Sequence, residues 1–97
     1  MEVRFADSKL QRLETELNYR AGFSKDIVQS FRKRMAMIRA AVDERAFYGM
    51  KSLHYEKLKG NRSHQRSMRL NDQFRLILEI RTVGNRSVFV VSIEDYH

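Results

Sequence analysis

The stretch Gln65–Arg81 reads QRSMRLNDQFRLILEIR, and its period decides the architecture. Met68 and Leu70 alternate with Ser67 and Arg69. Phe74, Leu76, Leu78 and Ile80 alternate with Arg75, Ile77, Glu79 and Arg81. Successive side chains of a strand point to opposite faces, so a period of two predicts strands here. Asn71-Asp72 between the two runs is a turn signal, because such side chains bond their own backbone. The two runs are therefore expected as antiparallel neighbours with one apolar face for a core. Arg69 and Arg75 are out of phase with that apolar set. Both are expected on the opposite, open face, on adjacent strands.

Working outward, Gly84-Asn85 marks a second turn. The β-branched run from Ser87 to Ile93 then predicts a further strand, shielded on both faces. Upstream of Gly49 the period is helical. Ile27, Val28, Phe31, Met35, Ile38 and Val42 recur at the spacing of one helix face, with Ser24 as N-cap and Asp26 in the first turn. Arg32, Lys33, Arg34 and Arg39 fall on the opposite, solvent-facing side. Leu10, Leu13 and Leu17 give a shorter helix that stops before Gly22, with a capping-box pattern at Ser8 and Gln11. Val3 and Phe5 alternate with charges and predict a short opening strand. The segment between Gly49 and Gly60 reads as a loop carrying His54 and Glu56. The expected order is β-α-α-β-β-β, an α+β domain spanning residues 1–97 with two helices on one face of a small, mainly antiparallel sheet.

The chain has 97 residues, room for one core and one open face. Nineteen Lys and Arg against twelve Asp and Glu give a net charge of +7, which favours a polyanionic partner such as nucleic acid. The absence of cysteine excludes disulfides, thiol catalysis and cysteine zinc sites, and fits a reducing cytoplasm. No apolar run approaches a membrane span, so no membrane association is expected. The three histidines, His54, His64 and His97, lack metal-ligand spacing, so neither a metal site nor a cofactor is expected.

The charge is concentrated. Lys57, Lys59, Arg62, His64, Arg66 and Arg69 follow one another without an intervening acid, and Arg75 lies on the next strand. Guanidinium groups converging from neighbouring strands suit the oxygens of a phosphate. The chain ends Glu94-Asp95-Tyr96-His97, which offers a carboxylate, a phenol and an imidazole for proton transfer beside a sheet edge.

Three motifs together resemble the HigB branch of the RelE-type toxins: Leu58-Lys59-Gly60-Asn61-Arg62, then Ser67-Met68-Arg69-Leu70-Asn71-Asp72-Gln73-Phe74-Arg75, then Asp95-Tyr96-His97. The resemblance covers the whole chain and agrees with the element order above. It implies a bacterial cytoplasmic toxin of a toxin–antitoxin pair, a ribosome-dependent endoribonuclease that cuts mRNA and stops translation. It also implies a helix-turn-helix antitoxin of HigA type as partner, with operator DNA bound only through the toxin–antitoxin complex. By position, Arg69 and Arg75 match the family's paired arginines, Lys59 and Arg62 its basic loop, and Asp95, Tyr96 and His97 its C-terminal triplet. Two positions depart from the pattern. Glu56 stands where members often carry a histidine before Leu-Lys-Gly, with His54 two residues upstream, and Arg66 replaces an aromatic residue before Ser67.

The expected catalytic set is therefore Arg69, Arg75, Asp95, Tyr96, His97 and Glu56. The expected RNA- and ribosome-binding set is Lys57, Lys59, Arg62, Arg66 and His54. RNA supplies its own 2′-hydroxyl nucleophile. The protein must supply cations for the phosphorane, a base and an acid. His97 is the leading candidate for proton transfer because its ordinary pKa lies near neutrality. Tyr96, Asp95, Glu56 and His54 remain as alternatives. The competing reading is a non-catalytic basic module that binds RNA or DNA through the same face.

Overall fold

The computed structural model describes residues 1–81 and 87–95. Among these the strands are β1 (Glu2–Phe5), β2 (Glu56–Lys57), β3 (Gln65–Arg69), β4 (Phe74–Arg81) and β5 (Ser87–Asp95). The helices are α1 (Ser8–Thr15), α2 (Lys25–Ala40) and the single turn α3 (Arg45–Tyr48), with 3-10 turns at Lys51–Leu53 and Gly60–Arg62. The strands form one sheet in the order β1-β5-β4-β3-β2. Only β1 runs parallel to its neighbour, β5. The α+β class with a mainly antiparallel sheet is as expected. The turn expected at Gly84-Asn85 lies outside the described residues. No helix of the described residues is long and apolar enough to cross a membrane.

Leu10 and Leu13 of α1, and Ile27, Val28, Phe31, Met35 and Ile38 of α2, pack on Met68, Leu76, Leu78, Val88 and Val90 of the sheet. Phe47 and Leu53 close the core at one end. Each large apolar side chain sealed in this way contributes about 1.5–3 kcal/mol relative to exposure. The α2 start is as expected, since Ser24 Oγ accepts the Ile27 N–H at 3.3 Å.

Several local expectations are corrected. The cap of α1 is Asp7 rather than Ser8. Asp7 is extended and its Oδ1 accepts the Lys9 N–H at 2.8 Å, so no capping box is needed. Helix α1 ends at Thr15, and Leu17 lies beyond it, 83% exposed. Arg32 of α2 takes over that end, its Nε donating to the Leu13 carbonyl at 2.9 Å and its Nη2 to that of Glu16 at 2.8 Å. Helix α2 ends at Ala40, and Val42 is 80% exposed rather than part of the stripe. The amino group of Met1 donates to the carbonyls of Ile38, Arg39 and Ala41, satisfying groups that a helix C-terminus leaves open. The arginines expected in solvent on α2 instead stitch elements together: Arg32 to α1, Arg39 to Glu14 at 2.7 Å, and Arg34 to β3. The segment read as a loop between Gly49 and Gly60 contains a 3-10 turn and the edge strand β2, and the single turn α3 precedes it.

One irregularity governs the far side of the sheet. Ile77 pairs with Ser92 but Leu78 pairs with Val90, so Val91 has no partner on β4. A one-residue bulge reverses the phase of everything beyond it. Val88 and Val90 face the helices, whereas Ser92 and Glu94 join the face of Arg75 and Ile77.

Candidate active site

The β3–β4 turn is built by Asn71, whose Oδ1 accepts the N–H of Gln73 at 2.8 Å and of Phe74 at 2.7 Å. Closing the hairpin at this point puts Arg69 directly across from Arg75. Opposed residues of an antiparallel pair have Cα atoms about 4.5–5.5 Å apart, so two guanidinium groups are delivered to one place on the sheet. Helix α2 holds the same corner from behind. Arg34 Nε donates to the Arg69 carbonyl at 2.9 Å, and Ser30 Oγ to the Leu70 carbonyl at 2.9 Å. Burial first, and the charge of Arg69 second, hold the Arg34 pKa below the usual arginine range.

Arg69 and Arg75 differ in environment. Arg69 is half-exposed and pairs with Asp72 in the turn. Arg75 lies on the expected face but is 8% exposed rather than open to solvent. Its Nη2 donates to the carbonyl of His54, and Glu56 Oε1 lies 3.7 Å from the same nitrogen. His54 sits in the left-handed region at φ 45° and ψ 46°, a conformation that costs a non-glycine residue about 1–3 kcal/mol. His54, Arg69, Asn71, Asp72 and Arg75 line a depression of about 380 Å³, large enough for a phosphate and part of its sugar.

Across the β4–β5 ladder, Arg75 faces Glu94. Arg62, at the end of the 3-10 turn Gly60–Arg62, grips that carboxylate with both terminal nitrogens, at 3.0 and 2.7 Å. This contact, ahead of a hydrogen bond from Ser92, holds the Glu94 carboxyl below the usual carboxylate range against the effect of burial. Ser67, on the same face between Glu56 and Ile77, is fully buried, and its hydroxyl has no hydrogen-bond partner among the described residues.

The chain has the fold of a bacterial toxin. Over its whole length it is similar to a YoeB/ParE toxin from Agrobacterium tumefaciens, covering 100% of both chains with a TM-score of 0.64 at 15% sequence identity. It is also similar to the conserved hypothetical protein HP0894 from Helicobacter pylori, covering 99% of this chain and 94% of that one, with a TM-score of 0.56 at 9% identity. The sequence matches no protein-family model and no curated protein. At these identities the likeness lies in the fold, and the chemistry rests on the side chains.

On this frame, His54, Glu56, Arg69 and Arg75 come together, and Arg62 joins them through Glu94. Three expected residues do not. By register Lys57 and Arg66 share the helix side of the sheet with Leu78, and Arg66 Nε donates to Glu44 at 3.1 Å. Asp95 pairs with Phe74 on that side as well, and accepts from Gln73 Nε2 at 2.9 Å. Its expected place beside the arginines is corrected by the bulge at Val91, which reverses the phase of the strand's last residues. Lys59 is exposed just ahead of its turn. Tyr96 and His97 lie outside the described residues.

Glu94 was missed for the same reason that Asp95 was misplaced. The signal lay in β5 itself, where Val88 and Val90 give way in phase to Ser92 and Glu94. Four residues in one phase that turn from apolar to acidic indicate a break in register. The polar pair Ser30 and Arg34, one turn apart on α2, was likewise legible as a contact across to the sheet.

Proposed function

We propose that residues 1–97 form one toxin domain of a toxin–antitoxin pair, and that it is an endoribonuclease cutting mRNA on the ribosome in the bacterial cytoplasm. The observation that carries this reading is the Arg69–Arg75 pair, brought face to face by the hairpin register at the edge of a phosphate-sized depression. Two guanidinium groups opposed in this way repel each other even with Asp72 beside Arg69 and Glu56 beside Arg75, and a phosphate between them offsets that repulsion. The toxin fold of the Agrobacterium neighbour supports the same reading.

The chemistry needs no covalent enzyme intermediate. The 2′-oxygen attacks the adjacent phosphorus, the bond to the 5′-oxygen breaks, and the products are a 2′,3′-cyclic phosphate and a 5′-hydroxyl. Arg75 and Arg69 stabilise the negative charge that builds on the non-bridging oxygens. Glu56, beside Arg75, takes the proton from the 2′-hydroxyl. His97, supported by Tyr96, returns one to the leaving oxygen. Lys59 and Arg62 hold flanking phosphates. His54 acts through its backbone carbonyl, which orients Arg75. A helix-turn-helix antitoxin of HigA type neutralises the protein, and the pair together binds operator DNA.

Purified ribosomes carrying a defined mRNA test this directly. Wild-type protein is expected to cut the mRNA and leave a cyclic phosphate end, and a 2′-deoxy residue at the cut site is expected to block it. Arg75→Ala should slow cleavage about 10²–10³-fold, the usual effect of losing one donor to a developing oxyanion. Binding to ribosomes without any cleavage would replace this reading with that of a non-catalytic basic module.

A further inference from the structure

Glu94, across the ladder from Arg75 on the candidate active face, takes no part in the proposed cleavage. Both oxygens of Glu94 accept from Arg62, at 3.0 and 2.7 Å, and Ser92 Oγ donates to Oε2 at 2.9 Å. The remaining edge of the guanidinium is held too. Arg62 Nε donates to Gln65 Oε1 at 2.9 Å, and Gln65 Nε2 donates to Glu79 Oε2 at 3.3 Å. A turn and three strands thus fix one arginine. A guanidinium has five N–H bonds, and three are spent here. The Arg62 side chain nevertheless stays 42% exposed, and its two other N–H groups make no hydrogen bond among the described residues. An arginine already held in one orientation loses less rotamer entropy on binding than a loose one.

The geometry points to Glu94 as a positioning residue, aiming Arg62 at an RNA backbone phosphate next to the one held by Arg69 and Arg75. This inference rests on the RNA-cleavage reading above. Two features favour aiming over simple competition for Arg62. Gln65 anchors the Nε edge independently of the carboxylate, and Glu94 is itself braced by Ser92, neither of which a charge mask requires. The ligand class is a phosphodiester strand longer than one nucleotide, since Glu94 and Arg62 matter only for a phosphate beyond the cut site.

The test is a double-mutant cycle on programmed ribosomes. Affinity is measured with mRNA carrying a 2′-O-methyl codon, which binds without being cut, and cleavage with unmodified mRNA. Glu94→Ala and Glu94→Gln should each weaken binding about tenfold, the loss of roughly one charge-assisted hydrogen bond, with kcat at saturation unchanged. Arg62→Ala should weaken it similarly, and R62A/E94A no further than R62A alone. Circular dichroism and thermal melts confirm that each variant is folded before it is scored. Tighter binding by E94A would overturn the inference and make Glu94 a competitor of the phosphate. Additive effects of R62A and E94A, or a fall in kcat with unchanged affinity, would also overturn it. A wild-type protein that binds but does not cut would defeat the cleavage reading while the affinity cycle still judges Glu94. A wild-type protein that does not bind would defeat both.

Discussion

Ser67→Ala should make this protein more stable, although it removes a polar group from the middle of a strand. Ser67 is 0% exposed, and its hydroxyl has no hydrogen-bond partner among the described residues. In the unfolded chain that hydroxyl bonds to water, so folding strips it without return. A buried unsatisfied donor or acceptor costs about 1–3 kcal/mol. Deleting one oxygen leaves a small void, which offsets a few tenths of a kcal/mol. The net gain is about 1–2 kcal/mol. For a domain of this length each kcal/mol moves Tm by about 4–8 °C, so a rise of at least 4 °C is expected. Urea unfolding followed by circular dichroism measures it: the midpoint should rise while the slope with denaturant stays constant. Ser67→Thr serves as the control, since a methyl group added at a closed position should destabilise by about 1–3 kcal/mol. Because Ser67 has no exposed surface, S67A should cleave at the wild-type rate. A loss of 1 kcal/mol or more in S67A would refute the reasoning and establish that the hydroxyl is bonded in solution.

Three further outcomes follow from the same structure. The Glu94 carboxyl is held below its ordinary value of 4.5, so the stability it contributes is present above that pH and lost as pH falls through the lowered value. Acid unfolding monitored below about pH 4.5 should therefore be shallower in E94Q than in wild type. Leu13→Ala should cost about 2–5 kcal/mol, because Leu13 is sealed in the core, whereas Leu17→Ala should stay within about 0.5 kcal/mol. Chemical denaturation of the pair separates the two leucines that one helical stripe had joined. His54→Gly should keep both fold and cleavage, because glycine accepts the left-handed backbone that points the carbonyl at Arg75. His54→Val should be less stable than wild type and cleave more slowly, and loss of cleavage in the glycine variant would assign the function to the imidazole instead.

The hairpin Gln65–Arg81 was legible because two independent signals agree there: strict alternation, and an Asn-Asp turn whose side chains close it. That agreement fixed the phase of Arg69 and Arg75, and the structure preserves it. Helix α2 was legible through the apolar spacing from Ile27 to Ile38 and a serine cap. The errors cluster where a local rule met a longer-range contact. Leu17 and Val42 fit the helical spacing, but the helices end earlier because Arg32 and the amino group of Met1 satisfy their last carbonyls. Helix α3 and strand β2 are too short to carry a period, four and two residues, and exist through tertiary contacts such as the Tyr55 hydroxyl on Glu44 at 2.7 Å.

The candidate site was half legible for a reason that one residue explains. Alternation counted forward from Val88 and Val90 sends Glu94 to the helices and Asp95 to the arginines. The extra residue at Val91 exchanges them. A single inserted residue costs one ladder position, yet it decides which acid shares the face of Arg75. This matters because the fold alone does not assign a chemistry. At 15% and 9% identity, the neighbours share with this chain a sheet and the helices that cover it. The chemistry of this protein's face rests on a short set of side chains: two arginines opposed by hairpin register, a glutamate beside the buried one, and a second glutamate brought round by a bulge to hold a third arginine. Basicity by itself would place any of nineteen cations against RNA. The register sets Arg69 opposite Arg75 and the bulge brings Glu94 to Arg62, whereas Arg66, equally charged and three residues from Arg69, lies on the other side of the sheet.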